Sequence, residues 1–202
     1  MNAVFIHIPR TAGRYIADVL GLRRFIYYSR MKNWFNQTGL INIGHQSYKR
    51  LLRKGVIGDE FNKTSFKFTF CRNPFDRVVS HYSYARHKHP DLLPKDVSFE
   101  KFVMNLDRYN IPRTKNKKKT FRPQVQSIKR VSMDFIGRFE NLTEDIKKVA
   151  DILSIKINDI DPMGATRHKP YREYYTPELE KKISEFYKKD FDFFGYDNHI
   201  LH

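Results

Sequence analysis

The sequence predicts an α/β domain with a mostly parallel central sheet flanked by helices. Three observations predict it. Val4-Phe5-Ile6-His7-Ile8 and the alternation of Phe66, Phe68 and Phe70 with polar residues are apolar runs of strand length. Each ends in a turn containing proline, Pro9 or Pro74, and passes into apolar residues at helical spacing. A third strand-like segment, residues 134–139, leads into a strongly amphipathic stretch. Strands alternating with helices imply a parallel sheet, whose ligands sit at the carboxyl ends of the strands.

Taken in order, residues 4–8 read as a buried strand ended by Pro9, and residues 12–20 as a helix with Tyr15, Ile16, Val19 and Leu20 on one face. Residues 21–40 are aromatic and mixed, without a period that assigns them. A helical stretch begins at Gly44, with Tyr48, Leu51 and Leu52 on one face, and stops near Gly55 and Gly58. Residues 65–71 read as a strand. Asn73-Pro74 opens the next helix: Asn can cap, Pro suits the first helical position, and Asp76 favours the positive end of the dipole. His89-Pro90 breaks it. Residues 99–106 and 124–129 are helical. Leu142, Ile146, Val149, Ala150 and Leu153 mark the amphipathic helix after the third strand. Thr176-Pro177 starts a last helix, and residues 191–196 pack back on the domain. Residues 108–123 carry Lys115, Lys117, Lys118 and Lys119 without apolar periodicity, and read as a basic loop inside a single domain of residues 1–202.

A chain of 202 residues buries about 70% of its unfolded surface, enough for a sizeable core. Thirty-eight Lys and Arg against 22 Asp and Glu leave a formal charge of +16. That balance suits an anionic partner, whether nucleic acid, glycan, phosphorylated cofactor or membrane surface, or else marks only a solvated, self-repelling surface. The single cysteine, Cys71, excludes an intramolecular disulfide and a cysteine-based zinc site. No apolar stretch approaches the roughly 20 residues of a membrane helix. No signal peptide is recognisable at the N-terminus, so a cytoplasmic location is expected.

Two segments carry candidate chemistry. In Pro9-Arg10-Thr11-Ala12-Gly13-Arg14-Tyr15, a strand runs into a helix start. Unpaired backbone N–H groups, the Thr11 hydroxyl, small Ala12 and Gly13, and the charges of Arg10 and Arg14 could cradle a phosphate. The same residues could equally make an ordinary tight turn; the G-x-x-x-x-G-K-[ST] pattern is absent. In Arg72-Asn73-Pro74-Phe75-Asp76-Arg77-Val78-Val79-Ser80-His81-Tyr82, Ser80 lies about 9 Å along the helix from Pro74. Arg72 and Ser80 could converge on one phosphate, or Arg72 and Arg77 could be surface residues and Ser80 a neutral helix position. Two anion sites at two strand ends suit a nucleotide with phosphates at both ends.

These segments resemble those of the carbohydrate sulfotransferases, the group that includes the heparan sulfate sulfotransferases. Phe5-Ile-His-Ile-Pro-Arg-Thr-Ala-Gly13 resembles their 5′-phosphosulfate loop, and Cys71-Arg-Asn-Pro-Phe-Asp-Arg-Val-Val-Ser-His-Tyr82 their 3′-phosphate motif. Phe135-Ile-Gly-Arg-Phe-Glu-Asn-Leu142, and Tyr174-Tyr-Thr-Pro-Glu-Leu179 through Asp190-Phe-Asp-Phe-Phe-Gly-Tyr196, resemble later segments in the right order. The resemblance implies a P-loop-like fold and the donor 3′-phosphoadenosine 5′-phosphosulfate (PAPS). It implies that the loop from Arg10 to Tyr15 holds the phosphosulfate and that Arg72 and Ser80 hold the 3′-phosphate. Ile43-Gly44-His45 resembles the segment bearing a catalytic histidine, so His45 would take the acceptor's proton while Arg10 stabilises the leaving phosphate. Without the resemblance, His45 merely starts a helix. The family usually has Lys where Arg10 stands and small hydroxyl residues where Arg14 and Tyr15 stand. The acceptor it implies is a hydroxyl, on a carbohydrate that the basic loop could attract if acidic; neither a metal nor a specific nucleic acid is expected.

Three rivals remain at the level of sequence: a P-loop-like nucleotide-binding or phosphoryl-transfer enzyme, with Asp134 the nearest metal-binding acid; a basic nucleic-acid-binding module; and a relative that binds PAPS without turnover. The cluster Arg167, His168, Lys169 either meets an anion or is a solvated loop.

Overall fold

The computed structural model describes residues 1–24, 40–45, 47–91, 93–106, 121–157 and 168–200. In chain order the elements are β1 (Ala3–Phe5), α1 (Gly13–Val19), β2 (Arg23–Arg24), β3 (Leu40–Asn42), α2 (Tyr48–Arg53), α3 (Asp59–Thr64) and β4 (Phe66–Cys71). There follow α4 (Pro74–Lys88), α5 (Phe99–Met104), α6 (Val125–Ile128), β5 (Phe135–Arg138), α7 (Leu142–Leu153), α8 (Pro177–Phe186) and α9 (Lys188–Phe194). Contacts divide the chain into two compact units, Met1–Cys71 with Gln126–Met163, and Arg72–Val125 with Gly164–His202. Most of the basic loop, residues 107–120, lies outside the described residues. None of the described helices is long and apolar enough to cross a membrane.

The first unit holds a five-stranded sheet in the order β2-β3-β1-β4-β5. Every pairing is parallel, with Val4 opposite both Ile41 and Lys67, and Phe70 opposite Gly137. All strands therefore end at one edge of the sheet. From β1 the chain goes out to β2 and back through β3, then crosses to β4 and β5. The connections leaving β1 and β4 depart in opposite directions, which is where such sheets place ligands. The sheet is buried by Ile16 and Ala17 of α1, by Leu20 just after it, and by Ile146, Val149, Ala150 and Leu153 of α7, the last four at helical spacing. Phe5 stacks on Phe68 at 5.1 Å between centroids. A Cβ on Gly137 would stand 2.5 Å from the Phe70 ring, so only glycine leaves room for that phenyl. Thr69 and Cys71, the polar alternates of β4, are buried too, as expected of an interior strand covered on both faces. Thr69 resolves its hydroxyl by donating to the Ile6 carbonyl at 2.7 Å.

Two carboxylates clamp β5. Asp134 accepts from the Lys67 backbone N–H at 2.7 Å, and Asp145 from that of Arg138 at 2.8 Å. Asp134 thus serves the start of β5, at the edge of the sheet opposite the carboxyl ends of the strands.

The helices and β4 lie where their caps and periods place them, apart from the later start of α2 at Tyr48 and three further differences. The strand over residues 4–8 pairs only at Ala3–Phe5, although the Ile6 N–H still donates to Phe68 at 2.9 Å. The helical stretch expected to stop near Gly58 is followed by α3, whose single buried residue, Phe61, leaves no period to read. In and just after the unassigned stretch 21–40, β2 and β3 have two and three residues, too short for alternation to show.

The second unit is helical and aromatic. Asn73 caps α4, its Oδ1 accepting from the Phe75 N–H at 2.9 Å, and Pro74 takes the first helical position. Thr176 and Pro177 do the same for α8, with a longer bond of 3.4 Å. Residues 191–196 pack back as expected: 191–194 lie in α9, which Gly195 caps at φ 64°. Phe75, Val79, Phe102, Tyr175, Ile183 and Phe191 belong to one buried cluster. The buried phenols find backbone acceptors: Tyr175 donates to Phe75 at 2.9 Å, Tyr187 to Phe121 at 2.6 Å and Tyr82 to Val97 at 2.8 Å.

Candidate functional site

In the first unit the chain leaves β1 through Ile6, His7, Ile8 and Pro9. Arg10 and Ala12 both take left-handed conformations, with φ 69° and 58°. Each costs a non-glycine residue about 1–2 kcal/mol, so the surrounding structure must impose them. Thr11 between them is buried, and its hydroxyl donates to the Ile8 carbonyl at 2.9 Å. Left-handed residues alternating in a short loop are the backbone pattern from which anion-binding concavities are built. Ala12, the residue capping α1, supplies no side-chain acceptor to the first turn. Arg10 is half-buried, Arg14 is exposed, and Tyr15 packs partly against the sheet core.

His7, read from sequence only as a strand residue, joins the loop to His45. Its imidazole lies over Gly13 so closely that a Cβ there would overlap the ring. It stacks on Phe5 at 5.6 Å and meets the His45 ring at 4.5 Å. The His45 Nδ1 stands 3.3 Å from the His7 carbonyl oxygen. His45 follows Gly44, whose φ is 57° and whose N–H donates to the Asn42 side chain at 2.8 Å. It precedes α2 rather than belonging to it, so the helical stretch expected from Gly44 begins at Tyr48. His45 and the loop are therefore brought together, with His7 between them.

Gly13→Ala is expected to lower stability by about 1–3 kcal/mol, the usual cost of overpacking. Thermal unfolding checks it: His7→Ala in the same chain should recover most of the loss, and an unchanged melting temperature for Gly13→Ala would contradict the packing.

In the second unit Arg72, Arg77 and Ser80 are 6%, 1% and 1% exposed. The reading of the two arginines as surface residues is thereby corrected. Burial of the charges follows from partners that the local sequence does not announce. The Arg72 Nε donates to Asp76 at 2.8 Å. Asp76 and Ser80 are one helical turn apart, so Arg72 is drawn along the helix face that carries Ser80. The backbone of Arg72 is bracketed by Gln124, which accepts its N–H at 3.0 Å and donates to its carbonyl at 2.8 Å. Gln124 is held in turn by Asp190, whose carboxylate accepts from the N–H groups of Gln124 and Val125 at 2.7 and 3.0 Å. Both nitrogens of the Arg77 fork donate to the Arg122 carbonyl at 3.3 Å. Burial pushes the Arg77 pKa down, against the pull of Tyr187 and Asp190. Burial also raises that of Asp190, against Arg77 and the bonds it accepts. From the basic C-terminal cluster, His168 lies 3.9 Å from Asp76 and is largely covered, whereas exposed Lys169 reaches Glu173 at 3.6 Å. Arg167 lies outside the described residues.

Gln124 and Asp190 are the site residues that sequence reading missed. Their roles come from contacts spanning 52 and 66 positions, which no local pattern reports. Among the described residues no group of three His, Cys, Asp or Glu could hold a metal ion.

A model of the sulfotransferase family matches residues 2–197. An uncharacterized protein of Archaeoglobus fulgidus is 35% identical over 85 residues, covering 41% of this chain and 62% of that protein, so the match spans less than two thirds of that relative. Among solved structures, mouse sulfotransferase SULT7A1 complexed with PAP is similar with a TM-score of 0.61 and 15% identity, over 94% of this chain and 84% of that one. That likeness is one of fold.

Proposed function

The chain belongs to the sulfotransferase family, and on that premise we propose that it moves the sulfuryl group of PAPS to an acceptor hydroxyl, on a carbohydrate. The match over residues 2–197 carries the reading. The curled loop after β1, with His45 beside it, supports it.

The backbone from Arg10 to Tyr15 receives the 5′-phosphosulfate, with Thr11 fixing the turn, small Ala12 allowing close approach, Gly13 seating the His7 ring beneath it, and the Arg10 and Arg14 charges balancing it. Arg72, with its planar fork, and Ser80, with its hydroxyl, receive the 3′-phosphate. His45 takes the proton of the acceptor hydroxyl as its oxygen bonds to sulfur. The bond from sulfur to the bridging phosphate oxygen breaks in line, and Arg10 stabilises the charge that appears on that phosphate. Adenosine 3′,5′-bisphosphate (PAP) leaves. Arg10 acts as a fixed cation there, since a guanidinium does not give up its proton at neutral pH. Asp134 offers no support to phosphoryl transfer, because its carboxylate is engaged at the start of β5.

Calorimetry with PAP against ATP tests the donor assignment. PAP should bind more tightly; tighter ATP binding would overturn it. Arg72→Ala should weaken PAP by about 1.5–3 kcal/mol, roughly 10- to 150-fold, and an unchanged affinity would remove Arg72 from the 3′-phosphate site.

A further inference from the structure

We infer that Gln124 is a positioning residue: by pinning the backbone of Arg72 it aims the guanidinium at a 3′-phosphate, and so sets the preference for a 3′-phosphorylated nucleotide over one with a 3′-hydroxyl. The inference rests on the reading of Arg72 as a 3′-phosphate ligand and deepens it by naming what makes that ligand selective.

The Arg72 N–H donates to the Gln124 Oε1 at 3.0 Å, and the Gln124 Nε2 donates to the Arg72 carbonyl at 2.8 Å. Those two backbone groups flank the Cα of Arg72. One side-chain amide therefore fixes the peptide planes on both sides of that atom, and with them the direction of its Cα–Cβ bond. Asp76 takes the Arg72 Nε at 2.8 Å, which sets the course of the side chain. Backbone and guanidinium are thus held separately, by residues 52 and four positions away. A planar fork recognises phosphate through paired N–H···O bonds, so its contribution depends on angle as well as distance.

Gln124 is itself held. Its N–H and that of Val125 donate to the two oxygens of Asp190 at 2.7 and 3.0 Å. Just before it, the Arg122 carbonyl accepts from both nitrogens of the Arg77 fork at 3.3 Å, and the Phe121 carbonyl from the Tyr187 hydroxyl at 2.6 Å. Side chains from α4, from α9 and from the residue between α8 and α9 therefore tie segment 121–125 in place. Gln124 and Asp190 are both 0% exposed. Burying polar groups costs desolvation that apolar packing of the same volume avoids, so stability alone does not call for this arrangement. A satisfied network in a low-dielectric interior does rigidify one geometry, and the residue it ends on is Arg72.

The test measures, by calorimetry on the full chain, the affinities for PAP and for adenosine 5′-phosphate (AMP), which lacks the 3′-phosphate. The variants are Gln124→Met and Gln124→Asn, alone and combined with Arg72→Ala. Methionine fills the space with a flexible apolar chain. Asparagine keeps the amide but is one methylene shorter, so it cannot meet both Arg72 groups, and it carries the comparison if the methionine variant does not fold. PAP affinity is expected to fall about three- to tenfold in either single variant, roughly half in free energy of the Arg72→Ala loss, because a misaligned ionic bond keeps about the strength of a neutral one. AMP affinity should stay unchanged. Combined with Arg72→Ala, neither substitution should weaken PAP further, since no guanidinium is left to aim. In turnover with PAPS varied, KM should rise with kcat unchanged, the mark of an interaction made equally in ground and transition states. Equal losses for PAP and AMP would overturn the inference, by showing that Gln124 supports the unit as a whole. Additive losses in the double variants would overturn it too. Unchanged PAP affinity in the single variants, with Arg72→Ala still weakening PAP, would overturn the inference and leave the donor reading standing. Unchanged PAP affinity in Arg72→Ala would remove Arg72 from the 3′-phosphate site and the inference with it.

Discussion

His45→Ala is expected to lower kcat by about 10²–10⁴-fold, the usual contribution of a positioned base, while leaving PAP affinity unchanged. The geometry supports a defined protonation state. The His45 Nδ1 faces the His7 carbonyl at 3.3 Å, and a carbonyl can only accept. That contact places the proton on Nδ1 and the lone pair on Nε2, the form a base needs. Contact with the His7 ring restrains rotation of the imidazole, and the exposure of His45 lets its proton leave. Steady-state turnover at saturating PAPS, with calorimetry on PAP, separates the roles. Undiminished kcat would remove His45 as base, and a parallel loss of PAP affinity would show that it supports the donor loop instead.

Arg77→Leu is expected to destabilise the protein by about 3–5 kcal/mol, the cost of removing one member of a buried, compensated charge set. Arg77 is 1% exposed, its fork holds the Arg122 carbonyl, and its charge opposes the burial of Asp190. Leucine would leave that carbonyl without its donors and the Asp190 carboxylate without its cation. Arg77→Lys should recover little, because an ammonium lacks the planar fork. The pH dependence has a definite sign. Loss of Arg77 raises the folded-state pKa of Asp190 further above its unfolded value, so the folded state binds more protons between the two. Stability then falls as pH rises through that window, and the deficit of the variant should be largest at neutral pH and shrink towards pH 4. Urea unfolding at several pH values measures it; an unchanged midpoint at pH 7 would show that Arg77 stabilises nothing.

His45 was legible because it stands in a short motif, Ile43-Gly44-His45, whose likeness to relatives points to a base. His7 was not. Its position inside an apolar run made it look like a packed strand residue, whereas β1 pairs only to Phe5 and leaves the imidazole to cover Gly13. Arg72 and Ser80 were singled out together by their motif, yet their burial was open at the level of sequence, since a charged residue near a helix start is more often solvated.

The sequence by itself determined what depends on near neighbours. Asn73-Pro74 and Thr176-Pro177 start helices because cap and first-turn residues act within a few positions, and the apolar period of α7 names its buried face. The curled loop after β1 was legible as a strand-to-helix turn for the same reason. Only the tertiary structure decided what depends on distant chain. The two- and three-residue strands β2 and β3 are defined by ladder bonds alone. Gln124 holds Arg72 across 52 residues, Asp190 holds Gln124 across 66, and His7 reaches His45 across 38. Contacts of that span have no local signature, because the entropy of closing the intervening loops is met by packing that the whole fold supplies at once.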